Sequence, residues 1–79
     1  MQRGEIVGIV NQFLVEEFEI EESALVPGAF LVQDLGIESL DFVDIVVIIE
    51  QKFGFKVTRE EIVNVKTLED MYNYIAERV

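Results

Sequence analysis

The chain contains no cysteine and no histidine. Without cysteine it can form no disulfide, and without either residue it lacks the usual ligands of a structural zinc site. It must therefore fold on packing alone, although it has only 79 residues and small folds often add a covalent or metal staple. The missing histidine also removes the commonest base beside a nucleophilic serine. Cationic side chains are scarce: after Arg3 none occurs until Lys52, so every charged side chain between them is acidic. That pattern argues against nucleic-acid binding, which needs a cationic footprint. Long apolar runs are absent too. No stretch reaches the roughly 18 apolar residues that would cross a bilayer. The opening residues, MQRGEIVGIVNQF, show no secretory cleavage pattern. A cytoplasmic monomer without membrane insertion is expected.

What remains is apolar and acidic. Hydrophobic residues make up 51% of the chain and the formal net charge is −10. This length supports one core, so residues 1–79 are read as a single domain. The apolar content is too high for a disordered acidic tail. A negative field of this size speeds encounter with basic partners; alternatively, the acids only keep a small apolar domain soluble. Both readings stay open on charge alone.

Helical periodicity organises the chain. Ile6, Ile9, Val10, Phe13 and Leu14 share one stripe, which predicts a helix over about residues 3 to 16. A long connection follows over residues 17 to 38, with a turn at Pro27-Gly28. Ile20, Leu25, Val26, Phe30, Leu31 and Leu35 are expected to pin it to the core. The next helix is predicted from about Ser39 to Phe53, with Gly54 just past its end. Phe42, Ile45, Val46, Ile49 and Phe53 form its core face. Thr58 before Glu61 and Thr67 before Asp70 are capping patterns. They predict a short helix near residues 59 to 63 and a further one through about Arg78, with Leu68, Met71, Tyr72, Ile75 and Val79 inward. The fold class is all-α: a small four-helix bundle of three main helices and one short one, with a long first loop.

One hydroxyl stands out. Ser39 lies at the mouth of the most hydrophobic helix, within DLGIESLD at residues 34–41. No histidine exists to take its proton, and the nearest lysine in sequence, Lys52, is more than three turns along the same helix, so self-contained catalysis is not expected. Serine is a preferred helix cap, and Asp41 would complement the helix dipole. Yet the face opposite the core stripe carries Leu40, Val43, Asp44, Val47 and Gln51. Three aliphatic residues among carboxylates, next to Ser39, have the make-up of a docking surface. Alternatively the loop covers Leu40 and Val47.

DLGIESLD followed by VDIVVIIEQKFG resembles the acyl carrier protein family, whose signature is Asp-Leu-Gly-x-Asp-Ser-Leu before an acidic, aliphatic helix. The resemblance covers nearly the whole chain: length, charge, helix order, long first loop and the late pair Tyr74-Ile75. It implies a non-enzymatic carrier. In such carriers a phosphopantetheinyl transferase moves 4′-phosphopantetheine from coenzyme A to the serine that matches Ser39, and the arm's thiol holds acyl groups as thioesters. It further implies that Glu38, Leu40, Asp41, Val43, Asp44 and Val47 meet basic docking patches on enzymes of fatty-acid, lipid or polyketide synthesis. Ser39 must then be open to solvent on the acidic–aliphatic side. Glu38 departs from the family's usual aspartate, by one methylene. Gln51 and Lys52 dilute the charge late in the helix, which hints at a specialised carrier. An aminoacyl or peptidyl carrier, or an unmodified acidic helical adaptor, are the alternatives. The Gly-Gly-x-Ser of peptide-synthetase carriers is absent.

Overall fold

In the computed structural model, which describes residues 1–79, the chain forms four α-helices and one turn of 3-10 helix. These are α1 (Arg3–Phe18), the 3-10 turn (Glu22–Ala24), α2 (Asp41–Phe53), α3 (Arg59–Ile62) and α4 (Leu68–Ala76). The predicted all-α bundle is what is found. No helix is long and apolar enough to cross a membrane.

Local chemistry starts and stops most of these helices. The Glu5 carboxylate accepts the Gln2 N–H at 3.3 Å and so closes the start of α1. Thr58 Oγ1 accepts the Glu61 N–H at 3.3 Å. At α4 the exchange is reciprocal: Asp70 N–H donates to Thr67 Oγ1, and Thr67 N–H to Asp70 Oδ2, both at 3.1 Å. Each bond satisfies a main-chain donor that the helix itself leaves free. Gly54 ends α2 at φ +78°, a left-handed position that glycine takes without steric cost.

The end of α1 was not legible. The helix runs two residues past the expected stop, to Phe18, and Glu19 takes the left-handed position at φ 55°. The Ile20 N–H returns to the Leu14 carbonyl at 3.3 Å, and Ile20 itself is buried, as in a Schellman ending. A non-glycine residue there costs about 1–2 kcal/mol. The Glu19 carboxylate also faces the negative end of the helix dipole. Glu19→Gly should therefore raise stability by ~0.5–1 kcal/mol in urea denaturation, after the extra chain entropy of glycine is subtracted. A lower midpoint for the variant would contradict this account.

The core is built from α1, α2, α4 and the loop. Ile6, Val10, Phe13 and Leu14 of α1 meet Leu68, Met71, Tyr72 and Ile75 of α4, while α2 contributes Ile45 and Ile49. Phe42, Val46, Phe53 and Ile9 are only half-buried, at the margin of the same cluster. The long loop is ordered because it is stapled to the start of α4. Leu31 N–H donates to Lys66 O, Leu68 N–H to Ala29 O, and Glu69 N–H to Pro27 O, each at 2.9 Å. Of the predicted loop anchors, Ile20 and Leu31 are buried and Leu25 and Leu35 pack against the core, whereas Phe30 and Val26 do not. At the Phe30–Thr67 bridge successive side chains alternate in direction, so Ala29 and Leu31 turn inward while Phe30 faces solvent. Val26 is exposed as well, and Ile37 is an anchor that periodicity did not reveal. Val79, expected inside, lies beyond the last helical turn and is exposed.

Tyr74, which the predicted inward set does not include, is buried because α3 and the C-terminus close over it. Its hydroxyl donates to Glu61 Oε1 at 2.9 Å. The Arg78 guanidinium stacks 3.9 Å from its ring centroid and pairs with Glu61, and Phe55 packs at 5.9 Å between ring centroids. Bonds from Arg78, Tyr74 and Thr58, in that order, hold the Glu61 carboxyl below its ordinary 4.5. A carboxyl whose folded pKa is depressed adds stability above its unfolded pKa and loses it as pH falls through the folded value. Glu61→Gln should therefore destabilise at neutral pH. The gap to the parent should close below about pH 4.5, as urea titrations across that range would show. A gap that stays constant with pH would assign the loss to packing instead.

Candidate functional site

Residues 34 to 41 pass through two turns that deliver Ser39 to the mouth of α2. Asp34 Oδ2 accepts the Phe30 N–H at 2.8 Å, and the Leu35 N–H donates to Phe30 O at 3.1 Å. Gly36 reverses the chain at φ +72°. Ile37 is then buried, with its N–H on Leu31 O at 3.0 Å, which fixes where the next residues emerge. Glu38 and Asp41 close the following turn on each other. The Glu38 N–H donates to Asp41 Oδ2 and the Asp41 N–H to Glu38 O, both at 2.9 Å.

This geometry settles the capping question. No side chain caps α2: the Asp41 carboxylate closes the turn that leads into it, and the Ser39 hydroxyl takes no part. The bonds from Asp41, Phe42 and Val43 to Glu38, Ser39 and Leu40 are tight i→i+3 contacts, so the regular helix begins two residues later than predicted. Ser39 is exposed, and its hydroxyl has no hydrogen-bond partner within the chain. The main-chain N–H groups of Ser39 and Leu40 also donate to nothing inside the chain. An open hydroxyl therefore sits beside two unused donors at the positive end of a helix dipole, a setting suited to an anionic group.

The surrounding face is apolar and uncovered. Leu40, Val43 and Val47 are 80%, 60% and 47% exposed. The loop does not shield them, because its inward residues are committed to α1 and α4. Val43 and Val47 lie roughly 160° from Ile45 and Ile49 on the helix wheel, at about 100° per residue. Glu38 and Asp44 are exposed beside them, while Asp41 is half-buried and its carboxylate turns back to accept the Glu38 N–H. Of the six expected face residues, Glu38, Leu40, Val43, Asp44 and Val47 are exposed, whereas Asp41 lies nearer the core stripe and its carboxylate is engaged by the Glu38 N–H. No acid or base is bonded to the serine, so the site has no means of activating it.

Comparison with known proteins agrees with this arrangement. Residues 9–75 match the family model described as phosphopantetheine attachment site. The class is thus a small helical carrier of a covalently held 4′-phosphopantetheine, and not an enzyme. The acyl carrier protein of Thermotoga maritima is 35% identical over 77 residues, covering 98% of this chain and 95% of that protein. The acyl carrier protein of Thermosynechococcus vestitus is 29% identical over 79 residues, covering 100% and 98%. The chain belongs to the acyl carrier protein family.

Proposed function

We propose that Ser39 Oγ is the point at which 4′-phosphopantetheine is attached. On this reading residues 1–79 act as one monomeric cytoplasmic shuttle among enzymes of fatty-acid, lipid or polyketide synthesis. The observation that carries the proposal is the free, exposed hydroxyl of Ser39 beside two unengaged main-chain N–H groups. Those donors and the α2 dipole can face the phosphate of a phosphodiester at Oγ. When bound, the group supplies a terminal thiol that holds acyl cargo as a thioester. The chain's own task is to present it. Ile37 and the Glu38–Asp41 turn anchor the base of the arm, and the absence of cysteine leaves the arm's thiol without a competitor inside the protein.

Attachment needs a phosphopantetheinyl transferase, since no side chain here activates the serine. The oxygen forms a new bond to phosphorus as the pyrophosphate link of coenzyme A breaks. The adenosine bisphosphate leaves, and the serine proton passes to a base on the transferase. Glu38, Leu40, Asp41, Val43, Asp44 and Val47 form the face that basic patches of partner enzymes meet. Long-range attraction brings them together and the aliphatic strip supplies short-range contact. Gln51 and Lys52, both exposed at the end of α2, dilute the acid there and support a specialised carrier.

Incubation with coenzyme A and a broad-specificity transferase should add the mass of one phosphopantetheinyl group. A thiol reagent should then react with the loaded chain and not with the unloaded one. Absence of a mass gain with several transferases would favour an unmodified acidic adaptor.

A further inference from the structure

Two clefts of about 300 Å3 each flank the end of α1, and Phe18 lines both. One opens toward Ile37 and Asp41 at the mouth of α2. The other lies between α1 and the middle of α2 and is lined by Glu17, Phe18, Asp44, Val47 and Ile48. Phe18 and Ile48 are half-buried and packed against the core, and Val47 is also the last member of the exposed strip on α2. The apolar surface therefore does not stop at α2. It turns into this second cleft and reaches α1.

The rim of the cleft is anionic and has no internal partner. Glu17 and Asp44 make no ion pair, since the three in the chain involve Arg3 or Arg78. Neither carboxylate takes part in a side-chain hydrogen bond, and both are exposed. An apolar floor with two unpaired carboxylates above it suits an apolar side chain flanked by lysine or arginine. A bare hydrocarbon would use the floor and gain nothing from the rim. A simple cation would use the rim and leave the floor wet.

We propose that the docking surface for basic partner enzymes extends across this cleft onto α1. An apolar side chain of the partner fills the space between Phe18 and Val47, and a flanking cation pairs with Glu17 and Asp44. The inference rests on the carrier reading and adds Glu17 and Phe18 to the residues that select a partner. It gives the end of α1, otherwise only a helix terminus, a role in specificity.

The test uses the unloaded chain, isotope-labelled, and an amidated helical peptide presenting one leucine between two arginines. Titration should shift the amide signals of Glu17, Phe18 and Ile48 together with those of α2. Glu17→Lys and Asp44→Lys should each weaken binding by ~fivefold at low salt. Glu22→Lys, the same charge change at an exposed site lining neither cleft, should leave it unchanged. Shifts confined to residues 38 to 44 would overturn the proposal. Equal weakening by Glu22→Lys would overturn it too, by showing attraction to net charge alone. A third adverse result is a chain loaded with an octanoyl arm that moves Phe18 and Ile48 by itself and blocks the peptide, since the cleft would then hold cargo. Failure of the carrier reading shows separately, as a chain that gains no mass with transferase.

Discussion

Ser39→Ala is expected to abolish the mass gain with coenzyme A and transferase while leaving stability within about 0.5 kcal/mol of the parent. Both halves follow from the same geometry. The hydroxyl is exposed and bonded to nothing inside the chain, so its removal strands no partner and opens no cavity. Asp41→Ala is the informative counterpart. Its carboxylate closes the turn leading into α2 by accepting the Glu38 N–H at 2.9 Å, and losing such a hydrogen bond costs ~1 kcal/mol. The Asp41 variant should keep its serine and gain mass, yet unfold at lower urea. If instead Ser39→Ala lost a kilocalorie or more, the serine would be a local support of its helix. If it still gained one phosphopantetheinyl group, attachment would lie elsewhere.

The largest loss of stability is expected at Phe13. Its ring is 1% exposed, inside the cluster where α1 meets α4. Truncation to alanine removes the transfer energy of the ring and leaves a void, together about 3–5 kcal/mol. Domains hold roughly 0.05–0.15 kcal/mol per residue, about 4–12 kcal/mol for a chain this short, so the loss is a large share of the whole. Without disulfide or metal to compensate, Phe13→Ala should unfold at a much lower urea midpoint by circular dichroism at 25 °C. Val43→Ala, on the exposed strip, should be nearly neutral, within about 0.5 kcal/mol. A Phe13 variant with an unchanged midpoint would mean that the core is held by something other than α1 packing on α4.

The parts of the molecule readable in advance are those governed by neighbours three or four residues apart. The stripe through Ile6, Val10, Phe13 and Leu14 emerged as the buried face of α1. The two threonine caps formed the bonds their spacing implies, and Gly54 took the left-handed position it was expected to take. Helix chemistry repeats within one turn, so a single stretch of sequence contains both partners of each interaction. The role of Ser39 came instead from the resemblance of DLGIESLD to the family signature; its local spacing alone suggested a helix cap.

Val26, Phe30 and Tyr74 were not legible because what sets their burial lies elsewhere in the chain. Phe30 and Val26 are apolar, but the pairing of residues 27–31 with 66–69 decides which side chains face inward. Tyr74 is buried only because Glu61 and Arg78 meet over it. Glu19 carries no sign of a helix stop; its backbone is set by Ile20 reaching the core.

Composition and local spacing were enough to establish an acidic, thiol-free helical domain with a serine at the head of α2. Folding in three dimensions decided that this serine caps nothing, that Leu40, Val43 and Val47 stay uncovered, and that Glu17 and Phe18 lie across a cleft from Asp44 and Val47. Those outcomes depend on contacts between segments far apart in the chain, and their directions are set by packing rather than by the identity of adjacent residues.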